Sequence, residues 1–420
     1  MQKKVLILIL FFLSSCIQTI KHEKQEIYSK KEQISSTQQT TSTQPTVSII
    51  KVEENFPFFK DTGDIANFFK SAKLNLEYLK TLSNKKILYN FGDRKITPAL
   101  LIKTNEKIIE IMKSTDDINN LNKLILENFE IYELKPSTNE VIFSSYYEPI
   151  LEASLTKTKE YKYPIYKRPP DMIEVNLEDF DEKYKGQKLT GRLSDNKLVP
   201  YFTRDEIDYK KILVGKNLEL AYFKSMADVM DLHIEGSGIL KLTDGKYIKA
   251  KFAATNSQKF KGWMSALVDM GLVKREDLTA KTAKEFIDSN PELERAVLSQ
   301  NKRYTFFKLE EIKDIEAGPE GTYGYPLVPA RSIAIDNSLI PLGALAFMQT
   351  NFPDVDEKGT LYGIKPDSRF VFCHDTGGAI KGARVDFFIG NGDKAKTFAY
   401  SLWEKGKLYL LIVKNTGDKI

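Results

Sequence analysis

The 420-residue chain is 42% apolar and 28% charged, long enough for two folded domains, and its composition excludes a disordered or fibrous protein. Its net charge of +5 is spread along the sequence, so no basic block marks a nucleic-acid partner. The three histidines, His22, His233 and His374, are too dispersed for a zinc site, and no phosphate-cradling glycine loop is present, so neither metal nor cofactor is expected.

The first 16 residues, MQKKVLILILFFLSSC, carry Lys3 and Lys4 ahead of an apolar run too short to span a bilayer, then small residues and Cys16. A cysteine directly after Leu-Ser-Ser resembles a bacterial lipoprotein signal, which implies that Cys16 is lipidated and heads the mature chain. Residues 17 to 54 are rich in Lys, Gln, Ser and Thr without periodicity and are expected to form a disordered tether. Ile17 and Gln18 lack the Asp of an inner-membrane retention signal, so the expected location is the periplasmic face of the outer membrane, reached through the lipid on Cys16.

Helical spacing predicts a helix from Ile65 to Leu79 behind an Asp64 cap, a second opened by Thr97-Pro98, and a third holding Ile118, Leu121 and Ile125. The texture changes at VIFSSYYEP, residues 141 to 149, read as a strand with Tyr146, Tyr147, Glu148 and Pro149 at its exit. Adjacent tyrosines on a strand face opposite ways, so one can pack while the other offers its ring and hydroxyl to a saccharide. Residues 150 to about 315 contain a capping box at Thr203 to Glu206, the turn Asp244-Gly245, a strand from Tyr247 to Thr255 and helices around 263–270 and 282–298, a pattern suggesting a small barrel or sandwich. Gly236-Ser237-Gly238 is read either as backbone approaching a ligand or as a bulge.

Strand texture returns at YTFFK and leads into three aspartates, Asp336, Asp375 and Asp386, each beside a short apolar run. Aspartate is poor in strand interiors. Turn chemistry accounts for Asp336 and Asp375 as readily as a functional role does. Asp386, followed by Phe387, Phe388 and Ile389, is expected to have its carboxyl pKa raised by apolar surroundings, as the general acid of glycosidic cleavage requires. A helix opened by Asp393 and a last strand, LYLLIV, close the chain.

In order, YYEP (146–149), YFTRDEI (201–207), EGSGIL (235–240), TN (255–256), NKRYTFF (301–307), RSIAIDNSLIPLG (331–343), DTGGAIKG (375–382) and RVDFFIG with NGD (384–393) resemble the membrane-bound lytic murein transglycosylase A family with its C-terminal three-aspartate domain. The resemblance implies a mainly β fold with peripheral helices (α+β). Residues 55–150 and 316–420 would form a double-psi β-barrel catalytic domain, residues 151–315 an inserted β-rich substrate-binding domain, and a groove between them would hold peptidoglycan glycan strands. It implies that Asp386 is the catalytic acid and that Asp375 supports it. It also implies that Tyr146, Tyr147, Glu148, Glu235, Ser237, Gly238, Asp336, Gly377, Gly378 and Lys381 lie in substrate-binding motifs.

The implied reaction is non-hydrolytic cleavage of the β-1,4 bond between N-acetylmuramic acid and N-acetylglucosamine, leaving 1,6-anhydromuramoyl ends. The chain departs from the family pattern at Ser145 and Ser257, where glycine is usual, at Glu235, where glutamine is usual, and at the QKF that comes after Ser257. Two other readings stay open: a lipoprotein that binds glycan without cutting, and a hydrolase in which Asp375 or Glu148 activates water.

Overall fold

A computed structural model describes residues 47–82, 89–138, 140–184, 188–278, 280–312 and 317–414. Cys16, the signal segment and the tether up to residue 46 lie outside the described residues. The principal sheet has eight strands, numbered here in chain order: β1 (Val47–Lys51), β2 (Phe129–Pro136), β3 (Val141–Glu148), β4 (Ser332–Ala334), β5 (Leu345–Val355), β6 (Leu361–Asp375), β7 (Arg384–Asn391) and β8 (Trp403–Val413). Their order is β1-β2-β8-β5-β6-β4-β7-β3, and β3 also pairs with β8, which closes six of them into a barrel. The fold is thus mostly β with some helices. The long strand β8 makes closure possible, since its first residues pair with β3 and its later ones with β5 and β2.

Alternation along these strands divides the side chains between two faces. Val141 and Phe143, Ile333, Ala346 and Met348, Val371 and Cys373, Val385 and Phe387, and Leu408 and Leu410 fill the interior. Cys373 is accordingly a fully buried core residue. The opposite, exterior face is covered in part by helices. Phe347, Phe370, Phe372, Tyr409 and Leu411 pack there against α1 (Ile65–Thr81), α2 (Pro98–Ser114) and α3 (Ile118–Asn128) through Phe68, Ile108 and Ile125. The caps are those the sequence suggests: Asp64 accepts from Asn67 N–H at 2.8 Å and Thr97 from Leu100 N–H at 3.3 Å.

The chain between β3 and β4 builds separate small sheets, chiefly the four strands Ile150–Ala153, Gly238–Leu242, Tyr247–Thr255 and Thr305–Glu311, around a core of its own with Trp263 and Leu267. The stretch DLHIE forms the end of a helix, α4 (Met226–Glu235), which Gly236 terminates at φ 78°. At Thr203 the capping box forms, with Thr203 N–H and Oγ1 both donating to Glu206 at 2.8 Å. The box opens a single π turn, Asp205–Tyr209, held by Arg204 buried beneath it.

One expectation is corrected at the start of the fold. Composition places the end of the tether at residue 54, yet Val47–Lys51 is a strand paired antiparallel with β2. Val47 and Ile49 lie against the barrel core. Only two apolar side chains are needed to dock so short an edge strand, and they are hard to see at the end of a Ser/Thr-rich run.

Candidate active site

The register of the barrel strands places Asp386 and Asp375 in one row across the sheet. Ser144 of β3 lies opposite Asp386 of β7, Asp386 opposite Ala334 of β4, and Ala334 opposite Asp375 at the end of β6. Residues directly across a sheet share a face. Asp386 and Asp375 therefore both project from the barrel exterior, beyond the edge of the helical cover. Phe387 points the other way, into the core. The raised pKa expected for Asp386 holds, although its apolar sequence neighbour on that side is not the cause.

The two carboxyl groups are held differently. Asp386 Oδ1 accepts one hydrogen bond, from Ser144 Oγ at 2.7 Å. Ser144 Oγ in turn accepts from Arg384 Nη2 at 3.1 Å and Nε at 3.3 Å. Among the described residues, no donor is assigned to Asp386 Oδ2. Burial pushes the Asp386 pKa up to about 6, and the nearby Asp375 adds to that, while the Ser144 hydroxyl and the Arg384 charge oppose it. About a tenth of this group is therefore protonated at pH 7, far more than for an ordinary aspartate.

Asp375 by contrast has both oxygens engaged. Oδ1 accepts from Thr322 N–H at 2.9 Å and from Thr322 Oγ1 at 2.8 Å, and Oδ2 from the Tyr146 hydroxyl at 2.9 Å. Burial raises its pKa and these donors oppose the rise. Burial and the adjacent carboxylates hold Tyr146 well above the ordinary phenol range, so it remains a donor. Its ring lies 5.4 Å from that of Phe388.

The other candidates fall at varied distances from this pair. Glu235, at the end of α4, accepts from Tyr147 N–H at 3.3 Å, and burial, then the charge of Asp386, pushes its pKa well up. The Tyr147 side chain is buried beside Tyr400. Glu148 is fully buried and forms an ion pair with Lys249 at 3.1 Å. Burial raises the Glu148 pKa and Lys249 partly offsets it. Lys249 also donates to the carbonyls of Ala317 and Gly318, at 3.1 and 3.0 Å.

Gly238 is crowded by neighbouring parts of the protein. A Cβ there would stand 2.6 Å from Leu232 and 3.1 Å from Pro149, so the residue admits a close approach of two chain segments. Ser237 is half-buried between the two glycines. Asp336 proves to be a turn residue: Oδ1 accepts from Ser338 N–H and Oγ, and Oδ2 from Gly382 N–H at 2.8 Å, which holds its pKa below the usual value despite burial. It anchors the loop that carries Gly377, Gly378 and Lys381, with Lys381 Nζ 3.8 Å away. Gly377 permits the turn to Ile380, and Gly378 lies against the Arg303 guanidinium. His374 is a neutral core residue, bonded to Ser332 and stacked on Tyr323 at 4.0 Å, its pKa lowered by burial to about 3.

Ser144, Thr322 and Arg384 bear directly on the two acids; Arg384 opens the RVDFFIG motif, but the role of none of the three is legible in the sequence. Their contacts depend on strand register and on a loop, Thr322, that returns from far along the chain. Among the described residues, no group of three or more His, Cys, Asp or Glu is arranged to hold a metal ion, and no helix is long and apolar enough to cross a membrane.

The chain is similar to known proteins over most of its length. The family described as "MltA specific insert domain" matches residues 142–308, and the "3D domain" family matches residues 331–412. The membrane-bound lytic murein transglycosylase A of Escherichia coli (strain K12) is 28% identical over 288 residues, covering 68% of this chain and 69% of that protein. A crystal structure of membrane-bound lytic murein transglycosylase from Agrobacterium tumefaciens superposes with a TM-score of 0.67 at 26% identity, covering 87% of this chain and 98% of the other. The structure of E. coli MltA with bound chitohexaose shares the fold, with a TM-score of 0.64 at 23% identity over 87% of this chain and 94% of that one. The insert-domain match followed by the 3D-domain match spans most of the chain from residue 142 to 412, and the chain belongs to the membrane-bound lytic murein transglycosylase A family, with a C-terminal 3D domain.

Proposed function

We propose that this chain is a peptidoglycan lytic transglycosylase in which Asp386 acts first as acid and then as base. The protonated carboxyl donates through Oδ2 to the glycosidic oxygen between N-acetylmuramic acid and N-acetylglucosamine. The C1–O bond breaks, and the leaving oxygen keeps the bond's electron pair and the proton. Asp386, now a carboxylate, takes the proton from the muramoyl C6 hydroxyl, whose oxygen attacks the oxocarbenium-like C1 and closes the 1,6-anhydro ring. The nucleophile belongs to the substrate, so its attack has the advantage of an intramolecular reaction. Asp375, fixed by Thr322 and Tyr146, supplies negative charge beside the developing cation.

One observation carries this reading over hydrolysis. A hydrolase needs a second carboxylate free to activate water. Asp375 has both oxygens engaged by protein donors, and Glu148 is fully buried against Lys249. Burial and the charge of Asp386 raise the Glu235 pKa, which disfavours its carboxylate form. Asp386 Oδ2 has no assigned donor among the described residues; Glu148 Oε2 and Glu235 Oε1 share that, but Glu148 is fully buried behind its ion pair with Lys249.

The barrel topology is consistent with a double-psi arrangement, with residues 151–315 as an inserted substrate domain and the glycan lying in a groove against the exterior face that bears Asp386. We assign Tyr146, Glu235, Ser237, Gly377, Gly378 and Lys381 to the walls of that groove. Lipidation at Cys16 would tether the enzyme to the periplasmic face of the outer membrane. Asp386→Ala should abolish release of soluble fragments from purified peptidoglycan while the circular dichroism spectrum is kept; undiminished turnover contradicts the assignment. Cys16→Ala should move the protein from the membrane fraction to the soluble fraction.

A further inference from the structure

Two tryptophans occur in the chain, and their environments are opposite. Trp263 is 2% exposed, in the core of the segment between β3 and β4, whereas Trp403, the first residue of β8, is 63% exposed. Tryptophan is among the residues most buried on average, so an indole left in water needs a reason.

The register of the barrel supplies one. Trp403 lies directly opposite Ser144, which lies directly opposite Asp386. The exterior row that runs Asp375, Ala334, Asp386, Ser144 therefore ends at Trp403, and all five residues share one face. From Trp403 to Asp386 is two strand spacings, roughly 10 Å, the length of a disaccharide.

The indole is also fixed to the acid. The Arg384 guanidinium lies over its ring, 4.9 Å from the centroid, and donates to the same Ser144 hydroxyl that bonds Asp386. The cation orients one face of the ring. No other aromatic ring contacts Trp403 among the described residues.

The setting also restricts what could cover it. Lys405 and Lys407 come after Trp403 at every second position on the exterior side of β8 and are exposed. A lone aromatic among charges is not the contiguous apolar patch that marks a protein or lipid interface. It is suited to the C–H face of a pyranose whose hydroxyls stay in water.

We propose that Trp403 is a stacking platform for a sugar of the glycan strand, about one disaccharide removed from the bond that Asp386 cleaves. The proposal rests on the transglycosylase reading and adds a binding position to it. Platform and acid share one hydroxyl, Ser144 Oγ, through Arg384, so the seating of the distal sugar and the orientation of the acid are coupled.

The test uses the full chain carrying Asp386→Asn, which prevents turnover, and the N-acetylglucosamine hexamer as probe. Hexamer binding should change tryptophan emission and shield it from acrylamide, because Trp263 is already buried. Adding Trp403→Ala should weaken hexamer affinity by roughly tenfold, measured by calorimetry, and Trp403→Phe should restore most of it. In the active enzyme, Trp403→Ala should raise KM for glycan strands more than it lowers kcat.

Unchanged hexamer affinity in Trp403→Ala, with emission indifferent to the hexamer, overturns the platform while leaving the transglycosylase reading intact. A wild-type chain that neither binds the hexamer nor cleaves peptidoglycan overturns both.

Discussion

Ser144 Oγ stands 2.7 Å from Asp386 Oδ1 and accepts from Arg384 Nη2 at 3.1 Å, so one hydroxyl on the neighbouring strand connects the acid to a cation on the acid's own strand. The bond favours the charged form of Asp386 and opposes the rise that burial causes. Ser144→Ala should therefore raise the Asp386 pKa further above about 6. Because the acid form starts the reaction, the alkaline limb of kcat/KM against pH should move to higher pH, with a lower maximum because the second step needs a competent base. A limb that stays in place or moves to lower pH would argue against Asp386 as the group that sets it.

The same raised pKa costs stability. A carboxyl whose folded pKa lies above its unfolded value favours folding while protonated, and that contribution is lost as pH rises through the folded value. Here the window runs from the ordinary 3.8 to about 6. Asp386→Asn keeps the shape and never ionises, so it should be more stable than wild type by roughly 1–3 kcal/mol at pH 7.5 and no different at pH 3. Thermal melts at the two pH values measure this, and equal melts at pH 7.5 would contradict the burial of a charge at this site.

Glu235 should behave as a neutral side chain. Its pKa is pushed well up by burial and by Asp386, and it accepts the Tyr147 N–H at 3.3 Å. Glu235→Gln preserves an acceptor for that bond and should retain activity at neutral pH within a few-fold. Glu235→Ala removes it and should reduce kcat/KM by about tenfold, a loss of about 1.4 kcal/mol. If the glutamine variant is the more damaged of the two, the charge on Glu235 is needed.

Lys249 is the charge partner of a fully buried Glu148 and joins β3 to the Ala317-Gly318 backbone. Lys249→Met should destabilise the fold by about 3–5 kcal/mol in urea denaturation, because removing one partner strands the other charge. Adding Glu148→Gln should recover part of the loss. Additive losses in the double variant would mean that the ion pair is not what holds this junction.

How far the sequence discloses this site depends on the kind of contact. Asp386 is legible because an aspartate inside an apolar strand is unusual, Asp375 only through the family motif that holds it, and helix caps such as Asp64 and Thr97 because their rules are local. Ser144 and Trp403 are not legible, since each acquires meaning only when β3 lies between β7 and β8, with a register that pairs Ser144 with both Asp386 and Trp403. Asp336 illustrates the converse. Turn chemistry is already an account of it in the sequence, and its oxygens are committed to Ser338 and Gly382. At Gly238 the close packing of Pro149 and Leu232 supplies a structural reason for glycine that the motif alone does not disclose.

The most direct test of the account is mass spectrometry of the fragments that the full chain releases from purified peptidoglycan. The account predicts 1,6-anhydromuramoyl ends, since Asp386 has no companion carboxylate free to activate water and the C6 hydroxyl is the nucleophile. Reducing muramoyl ends, heavier by one water, would contradict it and would require Asp375 or Glu148 to leave its present partners during the reaction.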